Sequence, residues 1–300
     1  MHNYTALEED IRNEVWSFER IEKLRTACSR RLTHLSNRRR CLRCRHNYYP
    51  RVAKTVCPLC EGKLRSVKKV MTCSNCGYKA SELGCTFCGD KDNWEANPRR
   101  DPYLGSEVLP RLKTLEDELE KRAVELVQEH PLWAWTRNIR GYGATTTARV
   151  ISACLIEKTE TASMFKAHFG WGLRPDGTPQ RKVKGEKLNY DSRAQSIAYM
   201  LGVAFQKMGT RWGSSYNEFY LKWKERYLAE GMSAGQASSR AYRGMLQLML
   251  QHTWEVWRKG VGLPAPEPYP FTILQPPHDP SHKIGPWDMV DVKEPVTAGK

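Results

Sequence analysis

The stretch from Leu7 to Leu35, LEEDIRNEVWSFERIEKLRTACSRRLTHL, places apolar residues at Leu7, Ile11, Val15, Phe18, Ile21, Leu24, Cys28, Leu32 and Leu35. Steps of three or four residues throughout put them on one face of a long amphipathic helix. A second stripe, Val108, Leu112, Leu115, Leu119 and Leu126, has Glu and Lys between its members and follows the linker DNWEANPRRDPYLG. Two seams of this length predict an antiparallel helical hairpin, with the segment between Arg40 and Pro98 inserted at its tip.

That insert carries four Cys-x-x-Cys pairs: Cys41 with Cys44, Cys57 with Cys60, Cys73 with Cys76, and Cys85 with Cys88. Two residues between thiolates let a tight turn present both sulfurs to one ion, and two such knuckles complete a tetrahedron. Eight ligands predict two closed, structural Zn2+ sites with no position left for water or substrate. In sequential pairing the ribbons are CLRCRHNYYPRVAKTVCPLC and CSNCGYKASELGCTFC, and this order is preferred. In nested pairing CPLCEGKLRSVKKVMTCSNC is the inner ribbon and the outermost pairs join each other. A lone Cys-x-x-Cys can be a redox site, but four pairs so close together favour chelation. Cys28 and Cys154 lie outside the pairs, beside apolar residues, and read as small core residues.

The chain has 300 residues, 48 Lys plus Arg against 33 Asp plus Glu, and a formal charge of +15. From Lys23 to Cys60 there are eleven Lys or Arg and no acid. A polyphosphate is the natural partner of such a segment, set against the plainer reading of a solvated basic face. Arg38, Arg39, Arg40, Arg43, Arg45 and Arg51 are therefore candidate nucleic-acid contacts. No apolar run approaches the ~18 residues needed to span a bilayer, so we expect no membrane partner and a cytoplasmic protein, nucleoid-associated in a prokaryote.

Further along, WTRNIRGYGATTTARVISACL (135–155) has apolar residues flanking a Gly-x-Gly turn that leads into a helix. Gly141 and Gly143 allow a tight turn and close backbone approach, and the following helix offers free N–H groups to a phosphate. Arg137, Arg140 and Arg149 add charge, and Thr145 a hydroxyl. An ordinary helix-helix turn has the same pattern. A Gly-, Pro- and Lys-rich loop from Gly170 to Lys187 contributes Arg174, Arg181, Lys182 and Lys184. Three helices follow. The first starts at the cap Asp191 and buries Ile197, Met200, Leu201, Ala204, Phe205 and Met208; the second carries Tyr216 to Tyr227 and stops at Gly231; the third runs from Ser233 to Gly260. Their aromatic and Met stripes read as core. From Val261 the chain holds nine of its seventeen prolines and reads as an extended tail.

Residues 132–260 resemble the C-terminal domain of transposases of the insertion sequence 110, 116 and 902 family. The resemblance is carried by NIRGYGATTTARVISACL, FKAHFGWGLRP, TPQRKVKGEKLNY and FYLKWKERYLAEGMSAGQASSRAYRGMLQLMLQHTWEVWRKG. It implies DNA as partner and a role in DNA transposition or recombination. The family also has an N-terminal RuvC-like nuclease domain, for which this chain has no counterpart. The family's nucleophilic serine follows a Gly-Leu-x-Pro turn; here Gly172, Leu173 and Pro175 are followed by DGTPQRKVKG, where Thr178 is the one hydroxyl.

The expectation is a mainly α protein: an N-terminal helix over 1–40, tandem zinc ribbons over 41–90, a second long helix over 104–130, a helix-hairpin-helix transposase-like domain over 131–260 and a Pro-rich extended tail over 261–300. Its expected activity is DNA binding through the phosphate backbone, with catalysis left open and Thr178 its one candidate. The competing readings are an active transposase or recombinase completed by a separate nuclease subunit, and an RNA-binding protein; a homo-oligomer is the other partner considered.

Overall fold

The computed structural model describes residues 4–36, 39–41, 47–48, 64–67, 70–73, 79–80, 94–96, 103–174, 177–182, 185, 187–267 and 283–292, with side chains over 4–32 and from 103 onward. The protein is mainly helical. Helix α1 is Thr5–Ser36, α2 Leu109–Gln128, α3 Trp133–Thr136, α4 Ala144–Ala153, α5 Ala162–His168, α6 Ser192–Trp212, α7 Ser215–Ala229 and α8 Ala234–Gly260. Among the described residues no helix is long and apolar enough to cross a membrane.

The chain forms two compact units, one of residues 1–19 and 117–300 and the other of residues 20–116. In the larger unit α8 is the central element and packs against α5, α6 and α7. It starts where a capping box allows. Ser233 accepts from the Gln236 backbone N–H, and the Gln236 side chain accepts in return from Ser233. It then buries Met245, Leu246, Met249, Trp254 and Trp257. Full burial of each large apolar side chain contributes about 1.5–3 kcal/mol.

The start of α6 follows its sequence signal, with Asp191 accepting from Ala194 N–H at 2.8 Å. Ile197, Leu201 and Phe205 are buried as expected. Met200 and Met208 are not: they are 59% and 36% exposed, on the outer side of the helix. In α1, Ile11, Val15 and Phe18 enter the core, while in α2 the buried apolar positions are Ala123 and Val127, and Leu115 is exposed.

Glu8 is buried in this unit. Its Oε1 accepts from the Trp257 indole N–H at 2.7 Å and from His130 Nε2 at 3.1 Å. His130 Nδ1 accepts from Leu132 N–H at 3.2 Å, so the proton shared with Glu8 sits on Nε2.

Residues 283–292 are packed onto the core and not extended. Pro286 and Met289 are buried in a 3-10 turn. The Trp135 indole N–H donates to the Pro286 carbonyl at 2.9 Å, and His252 Nε2 donates to the Ile284 carbonyl at 2.9 Å. Two buried side chains thus fix a segment whose proline content had suggested an extended tail.

In the smaller unit Glu116 is buried against Arg25 and Lys113, and the Arg25 hydrogen bond, with help from Lys113, holds its carboxyl below the usual range. A Leu104–Val108 π-helical turn leads into α2. Among the described residues, six short strands form two antiparallel sheets. One orders β2 (Asn47–Tyr48), β1 (Arg39–Cys41) and β6 (Trp94–Ala96); the other orders β3 (Leu64–Val67), β4 (Val70–Cys73) and β5 (Lys79–Ala80). Their registers set Cys41 opposite Trp94 and Leu64 opposite Cys73.

His252 couples this fold to pH. Its Nδ1 accepts from the Tyr216 hydroxyl at 2.8 Å, and burial pushes the imidazole down to about 4. The unfolded chain binds a proton that the folded chain excludes, so this contribution is complete above pH ~6.5 and is lost as pH falls towards 4. Denaturant unfolding should show stability falling by roughly 3 kcal/mol across that window, and His252→Gln should flatten the response.

Candidate nucleic-acid interface

The Gly-x-Gly turn lies between α3 and α4 and is built by its middle residue. Tyr142 is fully buried, with its ring edge-on to Trp135 and Phe205 and its hydroxyl 3.4 Å from the Thr253 hydroxyl. Plugging that side chain into the core forces Gly141 to φ +98°, and a Cβ there would meet the Ala204 backbone at 3.2 Å. Gly143 is different. It caps α4 in an extended conformation, with open space around it.

The polar groups of this turn are largely committed within the protein. Arg140 donates from its guanidinium to the carbonyls of Trp212 and Gly213, closing the C-terminal end of α6. Its backbone N–H donates to Asp291 Oδ2 at 2.7 Å. The other oxygen of Asp291 accepts from Ser215 N–H at 2.6 Å and the Ser215 hydroxyl at 2.8 Å, at the N-terminus of α7. Thr145 donates to Glu120 at 3.0 Å. Thr147 is buried and donates to Thr136 and the Gly143 carbonyl. Carboxylates therefore stand at two groups expected to meet a phosphate. Arg149 lies over the Phe18 ring at 5.1 Å, and Arg137 is exposed.

The loop after α5 is a tight hairpin. Arg174 N–H donates to the Thr178 carbonyl at 2.8 Å, Gly177 N–H to the Arg174 carbonyl at 2.9 Å, and Leu173 bridges to Pro179. Gln180 is buried and accepts from Gly172 N–H at 2.9 Å. The Arg174 guanidinium donates to the Arg181 carbonyl, leaving Arg181 and Lys182 exposed beside it. Thr178 is exposed in this turn; Lys184 lies outside the described residues.

Both the Gly141 turn and this loop border α6: Gly141 lies against Ala204 and Phe205, and Arg140 reaches the helix end at Trp212, whereas Gly170 lies beside Gln195 in its first turn.

Between the loop and α6, α7 and α8 is an open groove of about 1120 Å³ that sequence reasoning missed. Trp171, Tyr199, Tyr227, Tyr242, Arg240 and Arg243 are among its walls. Arg243 donates to the carbonyls of Trp171 and Gly172, Gln247 donates to Trp171, and Arg240 lies over the Tyr227 ring at 4.7 Å. Burial shifts Arg243 downward and the Tyr242 phenol upward. The sequence signal was a polar stripe on α8, Gln236, Arg240, Arg243 and Gln247, at helical spacing beside the apolar one.

Of the eight paired cysteines, Cys41 ends β1 and Cys73 ends β4; the other six lie outside the described residues. Arg39 and Arg40 lie in β1, while Arg38, Arg43, Arg45 and Arg51 fall outside. Among the described residues no group of three His, Cys, Asp or Glu converges to hold a metal. Cys154 is buried, as expected, with its thiol pushed up to about 12 by burial, whereas Cys28 is half-buried.

The chain matches no protein-family model, and no curated protein matches it.

Asp291→Ala removes the acceptor for three donors and should cost about 1–3 kcal/mol in urea unfolding, with Asp291→Asn intermediate.

Proposed function

We propose that this chain is a zinc-containing DNA-binding protein related to a transposase C-terminal domain, acting in DNA transposition or recombination mainly through phosphate contacts. The observation that carries the reading is the charge excess of +15, with Arg181 and Lys182 exposed on one tight loop. Phosphate is the ligand such cations attract, and it needs no base-reading geometry.

In this reading α1 and α2 form an antiparallel hairpin that carries two zinc ions on Cys41, Cys44, Cys57, Cys60, Cys73, Cys76, Cys85 and Cys88. The order of side-chain pairs supports the hairpin. In the larger unit Glu8 meets His130 and Glu14 meets Arg122, with the partner number rising as the α1 number falls. In the smaller unit Arg25 meets Glu116, and Gly105 lies beside Leu32, with the same order. The strand registers favour the nested zinc pairing over the sequential one. The β3–β4 hairpin joins the chain just after Cys60 to Cys73, and β1 pairs with β6, which follows Cys88.

Two measurements test the proposal. Affinity for a DNA duplex should fall about 100-fold or more between about 50 and 200 mM salt, and neutralising Arg181 and Lys182 to Gln should reduce the slope by roughly one to two. A flat salt response would show the reading wrong. Metal analysis of the purified full chain should find about two zinc ions, released together with unfolding of the module by chelator.

A further inference from the structure

The groove that Trp171, Leu173, Gly177 and Pro179 line with helices α6, α7 and α8 has no task in the phosphate reading. Its volume, about 1120 Å³, is at or beyond the upper end of ordinary small-molecule sites, ~300–1,000 Å³. Its described lining includes two arginines and no carboxylate, so its charge suits an anionic ligand. Its other feature is a set of preset aromatic rings. Tyr242 is held by its hydroxyl, which donates to the Tyr199 carbonyl at 2.7 Å. Around it Tyr199, Trp171 and Tyr220 pack edge-on, with centroids 5.8, 6.1 and 6.5 Å away. Tyr199 is 51% exposed, so part of this cluster opens to solvent. Rings already fixed by their neighbours lose little entropy when a ligand stacks on them.

From these observations we infer that the groove takes unpaired bases of a single-stranded nucleic acid, with Tyr199 and Tyr227 offering stacking surfaces and Arg240 and Arg243 facing the backbone. The inference rests on the nucleic-acid reading above and narrows its substrate. In a duplex the base faces are covered by their neighbours, so aromatic side chains gain stacking only from unpaired bases. A proline-rich peptide is the other ligand that aromatic grooves accept, but it brings no negative charge for the arginines. The exposed positions of this groove fall on the polar flank of α8 and the outer side of α6, where a purely structural aromatic stripe would have been covered.

The test is fluorescence anisotropy on the full chain, at one salt concentration, with a labelled single strand of DNA, the same strand as RNA, the DNA duplex and a proline-rich peptide. Tyr199→Ala and Tyr227→Ala should each weaken single-strand binding by about 5- to 100-fold and weaken duplex binding much less. Tyr199→Phe, which keeps the ring, should bind as wild type, and this separates stacking from misfolding. The DNA and RNA arms identify which strand is preferred. Equal losses on single strand and duplex, no loss on either, or binding of the peptide alone would overturn the inference. Duplex binding with a steep salt response, indifferent to the tyrosines, would overturn the groove assignment alone. Absence of all nucleic-acid binding would remove the broader reading with it.

Discussion

A carboxylate buried at Glu8 constrains the larger unit more than any other group. An ionised carboxylate away from water costs several kcal/mol unless its oxygens are hydrogen-bonded. Here the donors come from Trp257, 249 residues away, and from His130, 122 residues away. The first turns of α1, the turn after α2 and the end of α8 are therefore compatible only in each other's presence. His130 extends the constraint by accepting from Leu132 N–H, which orients the entry to α3. Removing Glu8 would take this acceptor from the buried Trp257 and His130 donors together, so the polar node specifies the arrangement that surrounding Val127, Leu132 and Trp257 stabilise by burial.

A similar logic governs the cations. The formal charge of +15 suggests a surface saturated with phosphate ligands, yet several arginines serve the fold. Arg258 is buried and donates to the carbonyls of Ile156, Thr159 and Pro264. Arg193 makes a two-pronged pair with Glu19 and also reaches Ser152. Arg140 closes α6. A guanidinium can satisfy three carbonyls at once because its donors are fixed in a plane, a property that lysine lacks. Not all of the sequence total is therefore free of a structural task, while Arg181 and Lys182 are among the cations left exposed.

The Gly141 turn and the α8 groove illustrate how similar residue types acquire different tasks. Thr145, Arg140 and the helix start near Gly143 have the composition of a phosphate site, but Glu120 and Asp291 already engage two of those groups. Tyr227 belongs to a stripe that looks like core, but with Tyr199 and Tyr242 it borders an open groove beside the loop at Trp171. Neither outcome follows from local spacing, since each depends on residues at least 25 positions away.

Much of the fold was legible in the sequence. The 3.6-residue periodicity of α1, the Asp191 cap of α6, the capping box at Ser233 and the positive-φ glycine after α7 are local signals whose causes lie within a few residues. Tertiary structure decided the rest. It turned Met200 outward and packed residues 283–292 beneath Trp135 and His252. Periodicity says that a helix has a buried face; which residues on its flank stay in water depends on the width and angle of its neighbours, and only the folded chain sets these.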